Sequence, residues 1–102
     1  MTVASQPPDL DPGGQARLRI DRLLVYLRFA RTRSAARKMI EQTPLRLNRR
    51  HIQRVSEGVA IGDILTLAIG NEVRVVEVLS LPSRRASPAL AKSHYRELDP
   101  RA

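Results

Sequence analysis

The strongest constraint on how this chain folds is a stripe of aliphatic residues at Ile20, Leu23, Leu24 and Leu27. That spacing places all four on one face of an α-helix, and it predicts a helix over about residues 20–30 that buries this face. Thr32 is positioned to cap a second helix, with Ser34 as a second candidate cap. This helix runs to about Gln42 with Ala36, Met39 and Ile40 facing inward. Pro44 disfavours helical geometry at Thr43 and ends it. The apolar period then changes from helical spacing to alternation. Leu45-Arg46-Leu47-Asn48 predicts a short strand with Arg46 on the solvent side, followed by a turn at Asn48-Arg49-Arg50. Ile64–Ile69 and Val73–Leu79 are β-rich runs joined by Gly70-Asn71, which predicts a hairpin with a two-residue turn. Gly62-Asp63 is another turn, and residues 55–61 are irregular. The fold class expected is α+β, with two helices packed on a small, mostly antiparallel sheet.

The flanks differ from this centre. Residues 1–16 hold three prolines and two glycines with little apolar content, and they are expected to form a disordered tail. Residues 17–81 form the domain, and residues 82–102 a basic C-terminal extension in which Ser87-Pro88 starts a weak helix over about residues 89–98. The start of the chain does not resemble a secretory signal. No apolar run approaches the ~18 residues of a membrane span, so a cytoplasmic protein with no membrane partner is expected. The absence of cysteine excludes disulfides, thiolate catalysis and cysteine-ligated zinc.

The net charge of +8 is unevenly spread. Residues 17–54 carry twelve basic residues against only Asp21 and Glu41, whereas residues 55–81 are net acidic. A contiguous basic block of this kind reads as a polyanion-binding surface. All but Lys38 and Lys92 of the basic residues are arginine, whose planar fork matches phosphate oxygens better than an ammonium does. The amino end of the second helix offers free N–H groups and partial positive charge, which suit a phosphate. Thr32 and Ser34 can add hydroxyls there, Arg31, Arg33, Arg37 and Lys38 surround it, and Arg46, Arg49 and Arg50 would join them if the strand packs beside the helix.

Residues Arg19-Ile20-Asp21-Arg22-Leu23-Leu24, Ala30-Arg31-Thr32-Arg33-Ser34-Ala35-Ala36-Arg37, Leu45-Arg46-Leu47-Asn48 and Val59-Ala60-Ile61-Gly62-Asp63-Ile64-Leu65 together resemble the S-four, or alpha-L, RNA-binding domain. The hairpin through Leu79 followed by Arg84-Arg85 is similar to one branch of that family, the ribosome-associated heat-shock proteins of about fifteen kilodaltons. The resemblance implies RNA binding with Arg19, Thr32, Arg33, Ser34 and Arg37 on the RNA-facing helical surface and Arg46 and Asn48 on the strand and turn. It also implies the free large ribosomal subunit as partner, with ribosomal or transfer RNA as ligand, in a heat-shock or ribosome-rescue role. The chain departs from the family pattern at Thr43-Pro44 and at Asn48-Arg49, where glycine is common after the helix and in the turn. It also lacks a tryptophan in the first helix.

Other readings are weaker. Leu23, Leu24 and Leu27 are core residues, Tyr26 and Phe29 are packing groups, and Asp21 pairs with an arginine or caps the first helix. Glu57, Asp63, Glu72 and Glu77 are read as a solvated sheet face. Two distant histidines make no metal site, and no nucleophile, paired-carboxylate or phosphate-loop motif is present. A non-enzymatic, cofactor-free monomer is therefore expected. The alternatives are a DNA-binding helix-turn-helix protein, with weak DNA binding, and an accessory RNA-binding module of an RNA-modifying enzyme. On this reading, replacing Arg33 and Arg37 by Ala weakens RNA binding with little change in melting temperature.

Overall fold

A computed structural model describes residues 9–10 and 16–98. The elements run β1 (Asp9–Leu10), β2 (Ala16–Arg19), α1 (Ile20–Tyr26), α2 (Arg33–Gln42), β3 (Arg46–Leu47), β4 (Arg50–His51), β5 (Gly58–Val59), β6 (Ile64–Ile69), β7 (Glu72–Val78), α3 (Pro88–Ser93) and β8 (Tyr95–Leu98). Five strands form one antiparallel sheet in the order β4-β3-β6-β7-β8, and β1, β2 and β5 form a smaller one. This is the α+β arrangement that the change of apolar period predicts.

The aliphatic stripe of α1 is wholly buried. Ile20, Leu23, Leu24 and Leu27 meet Ala36 and Ile40 of α2 and Leu47, Leu65, Leu67, Val76 and Val78 of the sheet. Each fully buried aliphatic side chain contributes roughly 1.5–3 kcal/mol relative to leaving it in water. The amino end of α1 has no side-chain cap. Its first N–H groups are satisfied instead by the loop before β5, with Ile20 N–H donating to the Glu57 carbonyl at 2.8 Å and Asp21 N–H to the Val55 carbonyl at 3.3 Å. These bonds clamp residues 55–57 against the start of the helix.

The second helix begins as its sequence dictates. Thr32 is the N-cap, and its hydroxyl oxygen accepts from the Ala35 N–H. Ser34 lies inside the helix and does not cap it. At the other end Thr43 is extended, with φ −122°, as the following proline requires. Its hydroxyl donates to the Met39 carbonyl, so no glycine is needed there. The turn between β3 and β4 places Asn48 at φ 58°. Asparagine tolerates this conformation far better than most residues, which explains how the turn closes without glycine. The β6–β7 hairpin pairs Ile69 with Glu72 across Gly70-Asn71, with Gly70 at φ 60°.

Three expectations are revised. α1 ends at Tyr26 rather than near Ala30, because Arg28 takes φ 66° and the Phe29 and Ala30 N–H groups both return to the Leu24 carbonyl. That reversal keeps Ala30 in the core. The C-terminal extension, expected to hold only a weak helix, also adds a strand to the sheet. The C-terminal helix stops at Ser93, and the chain returns as β8 beside β7, joined by Arg74–Glu97 and Arg96–Glu77 ion pairs. Tyr95 of β8 meets Phe29 with ring centroids 5.0 Å apart and planes tilted by 45°, and Arg74 lies over the Phe29 ring, 5.2 Å from its centre. Of the tail expected over residues 1–16, Asp9–Leu10 pairs with β2 and Ala16 opens β2. The remainder of that tail and residues 99–102 of the extension lie outside the described residues.

Candidate nucleic-acid interface

Basic side chains at the start of the fold are organised by one carboxylate. Asp21 stands in the first turn of α1 and is 3% exposed. Burying a lone carboxylate is costly, so it must be surrounded by donors. Arg19, the last residue of β2, supplies Nε at 3.2 Å and Nη2 at 3.1 Å. Arg33, the first residue of α2, supplies Nη2 at 3.0 Å, and the Arg22 N–H adds a bond at 2.8 Å. Arg19 and Arg33 therefore share the same oxygen, Oδ2. Burial pushes the Asp21 pKa up, but the Arg33 and Arg19 guanidiniums and the Arg22 N–H outweigh it and hold the carboxyl below its ordinary value.

The consequence is a pre-aligned cationic cleft. A concavity of about 360 Å³ is lined by Arg19, Asp21, Arg33, Ser34, Arg37 and Val55. The Arg33 side chain remains 58% exposed and that of Arg37 65% exposed. Each guanidinium has five N–H donors, and Asp21 uses two of Arg19's and one of Arg33's. The others are free to meet a planar or tetrahedral anion. Arg37 is shared with Glu41, an exposed pair one helical turn away that offers little resistance to an incoming phosphate.

The other candidate residues divide. Arg31 and Lys38 are exposed on α2 or just before it but do not line the cleft. Thr32 turns its hydroxyl oxygen inward as a cap. Arg46 and Arg49 are exposed on the β3–β4 hairpin and make no ion pair among the described residues. Asn48 is structural in this fold. Its side-chain carbonyl accepts from the Ile64 N–H at 3.0 Å and its backbone N–H donates to the Ile64 carbonyl at 2.6 Å. Arg50 pairs with Glu57 at 2.7 Å. That pairing lowers the Glu57 pKa, and the charges of Arg54 and Arg17 act in the same direction. Glu57 belongs to the loop clamped on α1, the same loop that supplies Val55 to the cleft lining.

Sequence reasoning gave Asp21 a pairing or capping role, and it organises the whole cleft. Its signal was its rarity, since only Asp21 and Glu41 are acidic in residues 17–54. Val55 was missed, because nothing local marks it as a neighbour of the site. Glu57 and Asp63, read as solvated, are anchors. Glu57 holds Arg50, and an Asp63 oxygen accepts from the Ala60 N–H at 2.9 Å. Arg33 also has a structural bond, so its replacement will cost stability as well as affinity. Among the described residues, no cluster of three His, Cys, Asp or Glu could hold a metal ion, and no helix is long and apolar enough to cross a membrane.

The Asp21 cluster sets an acid limit. A carboxyl whose folded pKa lies below its unfolded pKa stabilises the fold above the unfolded value, and this contribution disappears as pH falls through the folded one. Wild type should therefore exceed Asp21→Asn in melting temperature by a constant margin at neutral pH, and the margin should shrink below about pH 4. Thermal melts of both proteins across that interval measure it, and a margin that does not change with pH would rule out the ion cluster as its source.

Comparison with known proteins places this geometry among relatives. The S4 domain family matches residues 18–65, which contain the cleft and the β3–β4 hairpin. A heat shock protein 15 homolog of Haemophilus influenzae is 33% identical over 82 residues. That alignment covers 80% of this chain and 62% of the relative, so the chain spans about three fifths of the relative's length. The trimeric structure of Vibrio cholerae heat shock protein 15 superposes with a TM-score of 0.75 at 30% identity, covering 80% of this chain and 82% of that one.

Proposed function

The chain belongs to the S4 domain family and resembles heat shock protein 15, and on that premise we propose that it is a non-enzymatic protein that binds structured RNA through the Arg19–Asp21–Arg33 cleft. The ligand is ribosomal or transfer RNA on the large ribosomal subunit, in a heat-shock or ribosome-rescue role in the cytoplasm. The observation that carries this reading is the sharing of Asp21 Oδ2 by two partly exposed arginines, Arg19 just before α1 and Arg33 at the amino end of α2. A buried anion that fixes two guanidiniums lowers the ordering cost of meeting a third group, the RNA phosphate. Around it, Ser34, Arg37 and Lys38 of α2 and Arg31 and Thr32 before it supply further donors. Arg46, Asn48, Arg49 and Arg50 form the hairpin side of the interface. With 3% aromatic residues, base stacking contributes little, and shape and backbone contacts dominate. The chain acts as a monomer in this reading, needing no cofactor.

A direct test is competition between a structured RNA and duplex DNA of equal length, with Arg37→Ala and Arg33→Ala/Arg37→Ala as probes. The RNA should win. Arg37→Ala should weaken binding at an unchanged melting temperature, and the double variant should weaken it further while also melting earlier. Preference for the duplex would reject the RNA assignment in favour of a DNA-binding protein. Affinity unchanged in both variants would move the interface elsewhere.

A further inference from the structure

The C-terminal extension carries a second basic feature that the cleft does not use. The loop between β7 and α3 shapes a concavity of about 650 Å³ bordered by Arg84, Arg85, Ser87, Leu90 and His94. No acidic side chain lines it. Arg84 and Arg85 are exposed and make no ion pair among the described residues. Two adjacent, exposed guanidiniums without a counter-ion stabilise the fold little and leave their donors available to an external anion.

The loop is held in place. Ala86, directly after the two arginines, is buried, its N–H donates to the Tyr26 carbonyl at 3.4 Å, and its carbonyl accepts from Arg28 Nε. Ser87 begins α3 by accepting from the Leu90 N–H at 3.2 Å. These bonds fasten the pair to the carboxyl end of α1, whereas Asp21 and its arginines stand at the amino end of the same helix. α1 has seven residues and is about 10 Å long, so one short, rigid element carries a basic group at each end.

We infer that the Arg84–Arg85 loop is a second phosphate-contact site, which engages the backbone of the same RNA that fills the Arg19–Asp21–Arg33 cleft. The inference rests on the RNA-binding reading above. An acidic peptide is the competing occupant. RNA is favoured because the site adds to a cationic surface on one rigid element.

The test measures binding of a structured RNA hairpin to the full-length chain by fluorescence anisotropy over a range of salt concentrations. Wild type is compared with Arg84→Ala/Arg85→Ala and Arg84→Lys/Arg85→Lys. Losing two phosphate contacts should reduce the slope of log affinity against log salt by about two units. Between about 50 and 200 mM salt, the alanine variant should therefore lose about tenfold less affinity than wild type, from a weaker starting point. The lysine variant should keep most of the wild-type slope, and all three should melt alike, since both side chains are exposed. Equal slopes and affinities for wild type and the alanine variant would overturn the second site while leaving the cleft intact. Decaglutamate binding through the same two arginines more tightly than the hairpin would overturn its assignment to RNA. A wild-type chain that binds no RNA at any salt would instead sink the proposed function itself.

Discussion

Affinity for a structured RNA should fall about 10³-fold as salt rises from about 50 to 200 mM, if roughly six phosphates are neutralised. Enough basic side chains are available to supply these contacts. Arg19, Arg33 and Arg37 line the cleft, Arg31 and Lys38 flank it, and Arg46 and Arg49 stand exposed on the hairpin. Each phosphate neutralised releases a condensed counter-ion, and added salt makes that release less favourable. Hydrophobic or stacking recognition would respond weakly to salt, and the chain has only two tyrosines and one phenylalanine to offer. Of these, Phe29 and Tyr95 are engaged with each other. Titrations at several salt concentrations yield the slope directly, and a flat response would contradict a phosphate-dominated interface.

Asp21→Ala is the variant with the most informative expected outcome. Simple electrostatics says that removing a carboxylate from a cationic surface strengthens binding to a polyanion. The geometry predicts the opposite. Asp21 accepts bonds from Arg19, Arg33 and the Arg22 N–H, so alanine removes the group that aligns both guanidiniums and secures the first turn of α1. Hydrogen bonds to a charged group contribute about 1.5–3 kcal/mol, and stripping the partner from a fully buried pair costs about 3–5 kcal/mol. Because the Arg33 side chain is 58% exposed and that of Arg19 32% exposed, water re-solvates them, and the expected loss is toward the lower figure, about 2 kcal/mol. For a domain of this size that lowers the melting temperature by about 10 °C. RNA affinity, measured well below that temperature, should fall despite the added positive charge. A gain in affinity would show that Asp21 merely repels phosphate. Asp21→Asn separates the two effects, since it keeps an acceptor for the Arg22 N–H but loses the charge.

Much of this fold was legible from local pattern. The Ile20, Leu23, Leu24, Leu27 stripe lies wholly in the core, Thr32 caps α2, Pro44 ends it, and Gly70-Asn71 turns the hairpin. The errors share a cause. The end of α1 depends on Arg28, whose side chain reaches the carbonyl of Ala86, 58 residues away. The strand β8 forms by backbone pairing with β7, with Tyr95 packed on the core and Arg96 and Glu97 meeting Glu77 and Arg74, partners that no helical or alternating pattern in residues 89–98 announces.

Asn48 marks the same boundary within the site. Resemblance placed it on the RNA-facing turn, and its turn conformation fits that position, but its amide is bonded across the sheet to Ile64. Arg33 was read on the RNA-facing surface of α2, and it also bonds Asp21.

The sequence alone determined which stripe of α1 is buried, where α2 begins and ends, and that positive charge gathers in residues 17–54, because these follow from spacing, capping and composition within a few residues of each position. Only the tertiary structure decided which charges are balanced and which remain available to a ligand. An ion pair needs its partners within about 4 Å. Asp21 meets Arg33 and Arg74 meets Glu97 only because α1 packs on α2 and β8 pairs with β7.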